Sequence, residues 1–300
     1  MGQFTKEYRA WLRRNVPPSL LRKVNTVTHL DDRLFDVETR RAQLARIVLR
    51  ERFPGLFPDE EPAEFQVFSQ NGEDGILLHI LAQLPGLSRT FVEIGIEDAL
   101  ECNSAVLGFV LGWSGLMVEG EPGKAAAARR LAARMLMGRR NRIEVRHAFV
   151  TAETVNALVG SGPLSMLSID VDGVDYWLWK AIRDTAPEVV IMEYNASLGR
   201  DRAVTVPYDP QFSAQSAHPS GYYHGASLAA LEKLGREKGY SLVAVDSAGV
   251  NAFFVRDAVR PASLLAQTAA ALFRPHRMRL RNHSEQQQWE LIRHLPYETV

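Results

Sequence analysis

Thr90-Phe91-Val92-Glu93-Ile94-Gly95 and, further along, Gly115-Leu116-Met117-Val118-Glu119-Gly120 decide the fold of this 300-residue chain. Each is an apolar run too short for a helix, and each closes on an acid and a glycine. The same rhythm extends outward. Further strands read over 143–149, 164–170 and 189–193, with helices over 74–81, 103–111, 124–137, 174–182 and 227–239. Alternating strands and helices predict right-handed βαβ units, hence a doubly wound α/β sheet that is mostly parallel and covered on both faces. Residues 241–245 and 252–255 flank Ser247-Ala248-Gly249, a connection too short for a crossover, so they predict a C-terminal antiparallel hairpin. The expected organisation is a helical N-terminal extension over 1–62, with 53–62 as its linker, the sheet domain over 63–260, and a helical tail over 261–300.

Composition narrows the function classes. Thirty-five basic residues balance thirty-five acidic ones, so no global field attracts nucleic acid. Hydrophobic residues make up 46%, enough for a large core without disulfides, and the single Cys102 leaves no multi-cysteine metal site. No signal-peptide pattern and no transmembrane segment is read, which predicts a soluble, cytoplasmic protein, with a homo-oligomer compatible. The basic residues between Arg13 and Arg50 read as a solvated helical face or as a contact for an anionic acceptor or membrane surface.

In a doubly wound sheet, ligands sit beyond the carboxyl ends of the strands. Here Glu93, Glu119, Asp170 and Glu193 each end a separate predicted strand. One such acid commonly caps the next helix, but four on one rim describe a site for a polar or cationic ligand. S-adenosylmethionine fits, because it offers a ribose diol, an ammonium and a sulfonium. Glu119 is placed to accept the ribose hydroxyls, followed by Gly120, while Glu93 and Gly95 lie beside the methionine end. Gly95 is expected there because a Cβ would occupy the cofactor's path. A nicotinamide enzyme is disfavoured: the Gly-x-Gly-x-x-Gly loop is missing, and Glu97 stands where a phosphate would pass.

The combination of Ser69-Gln70-Asn71-Gly72-Glu73-Asp74, Phe91 to Gly95 with Glu101-Cys102-Asn103, Gly112-Trp113-Ser114-Gly115-Leu116 and Ser168-Ile169-Asp170-Val171-Asp172-Gly173 resembles the FkbM-type class I S-adenosylmethionine-dependent methyltransferases. The resemblance covers about residues 65–256. It implies a seven-stranded class I methyltransferase sheet and O-methylation of a sugar, glycan or glycosylated metabolite. It also implies that Gln70, Asn71, Glu73 and Asp74 close over the methionine end, with Asn103 beside them, and that Ala148 and Phe149 border the adenine. Glu97 and Ala99 depart from the glycines that many class I enzymes carry after the first strand. A methyltransferase fold serving as a non-catalytic binding partner is the alternative reading.

Asp170, Asp172 and Asp175 form a second constellation. It reads either as a capping turn or as a hard-cation site. The segment is more distantly similar to macrocin-type sugar O-methyltransferases, which implies Mg²⁺ or another divalent cation on Asp170, Asp172, Glu193 and Asn195. Between residue 193 and the helix at 227 lies a long insert holding Tyr194, Tyr208, Tyr222, Tyr223 and His224, which reads as a lid over the acceptor. His224 is the expected general base, with Asp170 next in line.

Overall fold

The computed structural model describes residues 64–300, so the extension expected over 1–62 and its linker lie outside the described residues. The described chain runs α1 (Glu73–Leu81), β1 (Thr90–Ile94), β2 (Ser114–Glu119), α2 (Pro122–Met135) and β3 (Ile143–His147). It continues through α3 (Val155–Val159), β4 (Met166–Ile169), α4 (Asp175–Ala181), β5 (Val189–Glu193), β6 (Val204–Thr205) and α5 (Ala214–Ala217). Then come α6 (Leu228–Glu237), β7 (Tyr240–Val245), β8 (Asn251–Arg256), α7 (Ala269–Leu272), α8 (Glu285–Ile292) and β9 (Glu298–Thr299).

Seven strands form one sheet in the order β3-β2-β1-β4-β5-β8-β7. Only β8 runs against the others, antiparallel to both β5 and β7. This is the expected doubly wound sheet closed by a hairpin. The strand period of two sorts the core onto its faces. Val92, Ile94, Val190, Met192 and Phe254 pack with Trp179, Leu231 and Leu234 on one side. Phe91, Val189, Ile191, Phe253 and Val255 pack with Leu77, Ile80 and Phe109 on the other. Helix α6 buries Leu228, Leu231 and Leu234 at helical spacing, and its Ser227 cap accepts from the Ala230 amide at 3.1 Å.

Two segments differ from expectation. The helix read over 103–111 is a single π-helical turn, Val106–Val110, with the Leu111 amide donating to the Val106 carbonyl at 3.1 Å. Glu93 pins the amides ahead of it, and Gly108 packs closely against the Phe91 ring and the tip of Ile143. Packing rather than propensity sets this turn. The stretch over 261–300 is also less helical than read. It holds α7, α8 and a 3₁₀ turn (Arg279–Arg281) joined by irregular chain. Leu264, Phe273 and Ile292 are buried in three different clusters, which one continuous helix could not serve. This stretch belongs to the same compact unit as the sheet, Pro62–Val300. Strand β9 pairs with β6, and the Tyr194 hydroxyl donates to the Arg274 carbonyl at 2.7 Å. No helix among the described residues is long and apolar enough to cross a membrane.

Candidate functional site

The rim begins with the loop that follows β1. Its φ is positive at Gly95 (89°), Glu97 (52°) and Ala99 (64°), so the backbone turns left-handed at alternate positions. For Glu97 and Ala99 that conformation costs about 1–2 kcal/mol each. The substitutions therefore leave a glycine-like path intact. Glu97 points to solvent and pairs with Lys124 at 2.7 Å, while Ala99 is buried. A Cβ at Gly95 would collide with the Asp170 backbone carbonyl, so the close approach of the chain after β1 to the end of β4 by itself demands glycine there.

Glu119 closes β2 with both oxygens engaged. Oε2 accepts from the Glu97 amide and Oε1 from the Glu121 amide, each at 2.8 Å. The carboxylate thus ties the left-handed loop to the start of α2 and is fixed at the rim. Beside it, the Ala148 amide donates to the Glu119 carbonyl at 3.0 Å, and Phe149 stands 64% exposed near Gly120.

Several predicted ligand residues turn inward instead. Glu93 accepts from the Asn103 and Ser104 amides at 2.8 and 2.7 Å, and Asn103 spends its side chain on Ser168 at 3.1 Å. Both are buried supports of the loop rather than ligand-facing groups. Asp74 is likewise structural, since its Oδ2 accepts from the Val67, Phe68 and Ser69 amides at 2.7, 2.7 and 2.9 Å. Burial pushes its carboxyl above the ordinary value against the pull of those amides. Asp74→Ala should strip the three donors and cost about 3 kcal/mol of stability, checked by denaturant unfolding. Of the other residues before β1, Gln70 is exposed. Asn71 donates to Glu73, which also accepts from Asn251 at 2.9 Å and so ties α1 to β8 beside Glu193.

The ends of β4 and β5 hold the chemically open groups. Burial, then Asp172 and Asp175, raises the Asp170 carboxyl well above its ordinary value. Glu193 is also raised well above its ordinary value, by burial first and then by Asp170 and Asp172. Among the described residues neither carboxylate receives a hydrogen bond. The Asp-Val-Asp-Gly-Val-Asp turn is organised by Asp175, which accepts from Val171 and Gly173 at 2.7 and 3.0 Å. Asp172 projects from this turn, exposed, with φ at 52°.

The expected metal set does not assemble as read. Asn195 donates to the Tyr222 and His224 carbonyls, and its Oδ1 accepts from Ser197 and Arg279, so neither end is open to a cation. The residues brought together are Asp172, Glu193 and His224, whose ligand atoms lie within 4.8 Å of one another. His224, the general base expected from sequence, is placed in a buried contact with Arg279. It is 1% exposed, and its Nε2 meets the Arg279 Nη2 at 2.8 Å. Arginine only donates, so that lone pair is taken. Burial, then the charges of Arg279 and His276, lowers the ring to about 3. A depressed histidine stabilises the fold above its unfolded value of 6.5, and that contribution is lost as pH falls towards 3. The raised carboxyls of Asp170, Asp175, Glu193 and Asp246 contribute with the opposite sign over the same range. The expected result is therefore a difference: between pH 7 and 4 the melting temperature of the wild type should drop relative to that of His224→Gln, and an identical pH dependence would place the titration elsewhere.

Sequence reasoning missed Arg279. Its only sequence signal was a basic run (Arg274, Arg277, Arg279, Arg281) far from the acids along the chain. The tyrosines of the insert are structural too. Besides Tyr194, Tyr222 pairs with His283 at 2.9 Å, Tyr223 donates to the Pro296 carbonyl, and Tyr208 donates to Glu153 at 2.7 Å.

No family model matches the chain, and no curated protein matches it in sequence. Among solved structures it is similar to magnesium protoporphyrin IX methyltransferase from Synechocystis PCC 6803 with bound SAH. There the identity is 15% over 61% of this chain and 81% of that one, with a TM-score of 0.39. An O-methyltransferase from Bacillus cereus in complex with SAH shares 17% identity over 70% and 87%, TM-score 0.39. The N-terminal domain of EvdMO1 with SAH bound shares 15% over 70% and 94%, TM-score 0.40. The fold assignment rests on the strand order itself: a seven-stranded sheet ordered β3-β2-β1-β4-β5-β8-β7, with its antiparallel hairpin, is the class I S-adenosylmethionine-dependent methyltransferase fold.

Proposed function

We propose that this chain binds S-adenosylmethionine at the rim and transfers its methyl group to a hydroxyl of a small-molecule or glycan acceptor. The observation that carries the reading is the Glu119 carboxylate, held by the Glu97 and Glu121 amides under the left-handed 95–99 loop. Two fixed oxygens retain lone pairs for a ribose diol and cannot swing away. Asp170 and Glu193, raised by burial and by neighbouring carboxylates, favour a positively charged partner over a phosphate. Ala148 and the exposed Phe149 ring offer an apolar edge for adenine.

Bound there, S-adenosylmethionine would supply an electrophilic methyl group on a sulfonium. The chain must then hold the acceptor oxygen in line, exclude water and receive the hydroxyl proton. With His224 committed to Arg279, Asp170 and Glu193 are the groups open to that proton. The hydroxyl and the glycan class rest on the FkbM-type resemblance. Calorimetric titration of the purified chain with S-adenosylmethionine tests the reading, one molecule bound per chain being expected. No binding would leave the non-catalytic alternative.

A further inference from the structure

The basic residue that the sequence left unassigned reaches the centre of the rim. Arg279 leaves the 3₁₀ turn of the C-terminal segment and is fixed on three sides. Its Nη1 donates to Asn195 Oδ1 at 2.7 Å and to Ser197 Oγ at 3.0 Å, and its Nη2 donates to His224 Nε2 at 2.8 Å. The guanidinium also lies over the Tyr222 ring, 5.6 Å from its centroid. The segment carrying it is tied down nearby, since Ser197 Oγ donates to Gln288 of α8 at 2.7 Å. Glu193 and Asp172 are the acids it opposes.

Those bonds decide the state of His224. Because arginine has no acceptor, Nε2 must present its lone pair, and the neutral ring then carries its proton on Nδ1. That nitrogen is buried, lacks a hydrogen-bond partner among the described residues, and lies 3.7 Å from Glu193 Oε2. A cation held by Asp172, Glu193 and His224 needs a bare nitrogen, and Nδ1 is protonated while Nε2 is taken. The guanidinium charge also acts on Glu193 and Asp172, which opposes a second cation beside them.

We propose that Arg279 is the resident cation of this rim and the positioning residue of His224, holding the ring with Nδ1–H towards Glu193. In this role the arginine displaces the divalent ion that the Asp172–Glu193–His224 cluster would otherwise take. The cluster is a latent metal site, closed by one side chain from the C-terminal segment. This inference does not depend on the methyl-transfer reading.

Two measurements on the full chain test it, neither requiring an acceptor. Nitrogen NMR of labelled histidine should report the Nδ1–H tautomer for His224 in the wild type and in Arg279→Lys, whose ammonium also only donates. That signature should be lost in Arg279→Ala. Electron paramagnetic resonance with Mn²⁺ should show about tenfold or more tighter binding in Arg279→Ala than in the wild type, abolished by adding Glu193→Gln. An Nε2–H tautomer in the wild type overturns the proposal. So does Mn²⁺ binding by a folded Arg279→Ala that is no tighter than that of the wild type. Should Arg279→Ala fail to fold, the tautomer in the wild type and in Arg279→Lys still decides.

Discussion

Gly95→Val is expected to lose more than about 4 kcal/mol of stability, beyond the range of ordinary point substitutions. Two effects add. A β-branched residue is forced to φ 89°, and its Cβ is driven into the Asp170 carbonyl, a backbone atom that cannot rotate aside. Separating β1 from β4 to relieve the collision would break the bond from the Asp170 amide to the Ile94 carbonyl, 2.9 Å long. Gly95→Ala is the informative companion, because it carries the same Cβ with nothing beyond it. If glycine is needed for strand packing, Gly95→Ala also unfolds at distinctly lower denaturant. Were it needed only to leave a cofactor its path, Gly95→Ala would melt like the wild type and lose binding alone. Denaturant midpoints and cofactor titration of the two variants separate these cases.

Glu119→Ala should weaken S-adenosylmethionine binding by about 2–4 kcal/mol, the loss of two charge-assisted hydrogen bonds. The loss arises in two ways. The ribose acceptor disappears, and the Glu97 and Glu121 amides are no longer gathered, so the left-handed loop relaxes. Glu119→Gln keeps one acceptor oxygen and should fall between the wild type and alanine. Calorimetry at fixed ionic strength measures the series. Equal affinity across all three would remove Glu119 from the cofactor site and the ribose placement with it.

The acids at the strand ends were legible as a rim, but their separate roles were not. Glu93 and Glu119 each close an apolar run with an acid, yet Glu93 gathers the amides of residues 103 and 104, whereas Glu119, also buried, gathers those of residues 97 and 121. The difference depends on what the following loop folds back against, and no local pattern encodes it. Asp74 and Asn195 were expected as ligand groups from the family resemblances, which carry positions along the chain but not the partners those side chains find. Asp74 meets three amides only because the chain before α1 curls over it.

By itself the sequence determined the sheet. Short apolar runs broken by helices of regular spacing admit few topologies, and the turn between β7 and β8 admits only an antiparallel pair. It also determined that Glu119, Asp170 and Glu193 would share one edge, because parallel strands all end on the same side. Tertiary structure alone decided which of these acids remain open and which residue opposes them. Arg279 reaches Asn195, Ser197 and His224 across a long stretch of intervening chain. Such a contact arises from packing the C-terminal segment against the insert, an outcome of burying Phe273 and Ile292 in separate clusters. Local propensity carries no record of that long-range packing, and so the sequence showed His224 as a base where the folded chain buries it as a neutral ring bonded through Nε2 to Arg279.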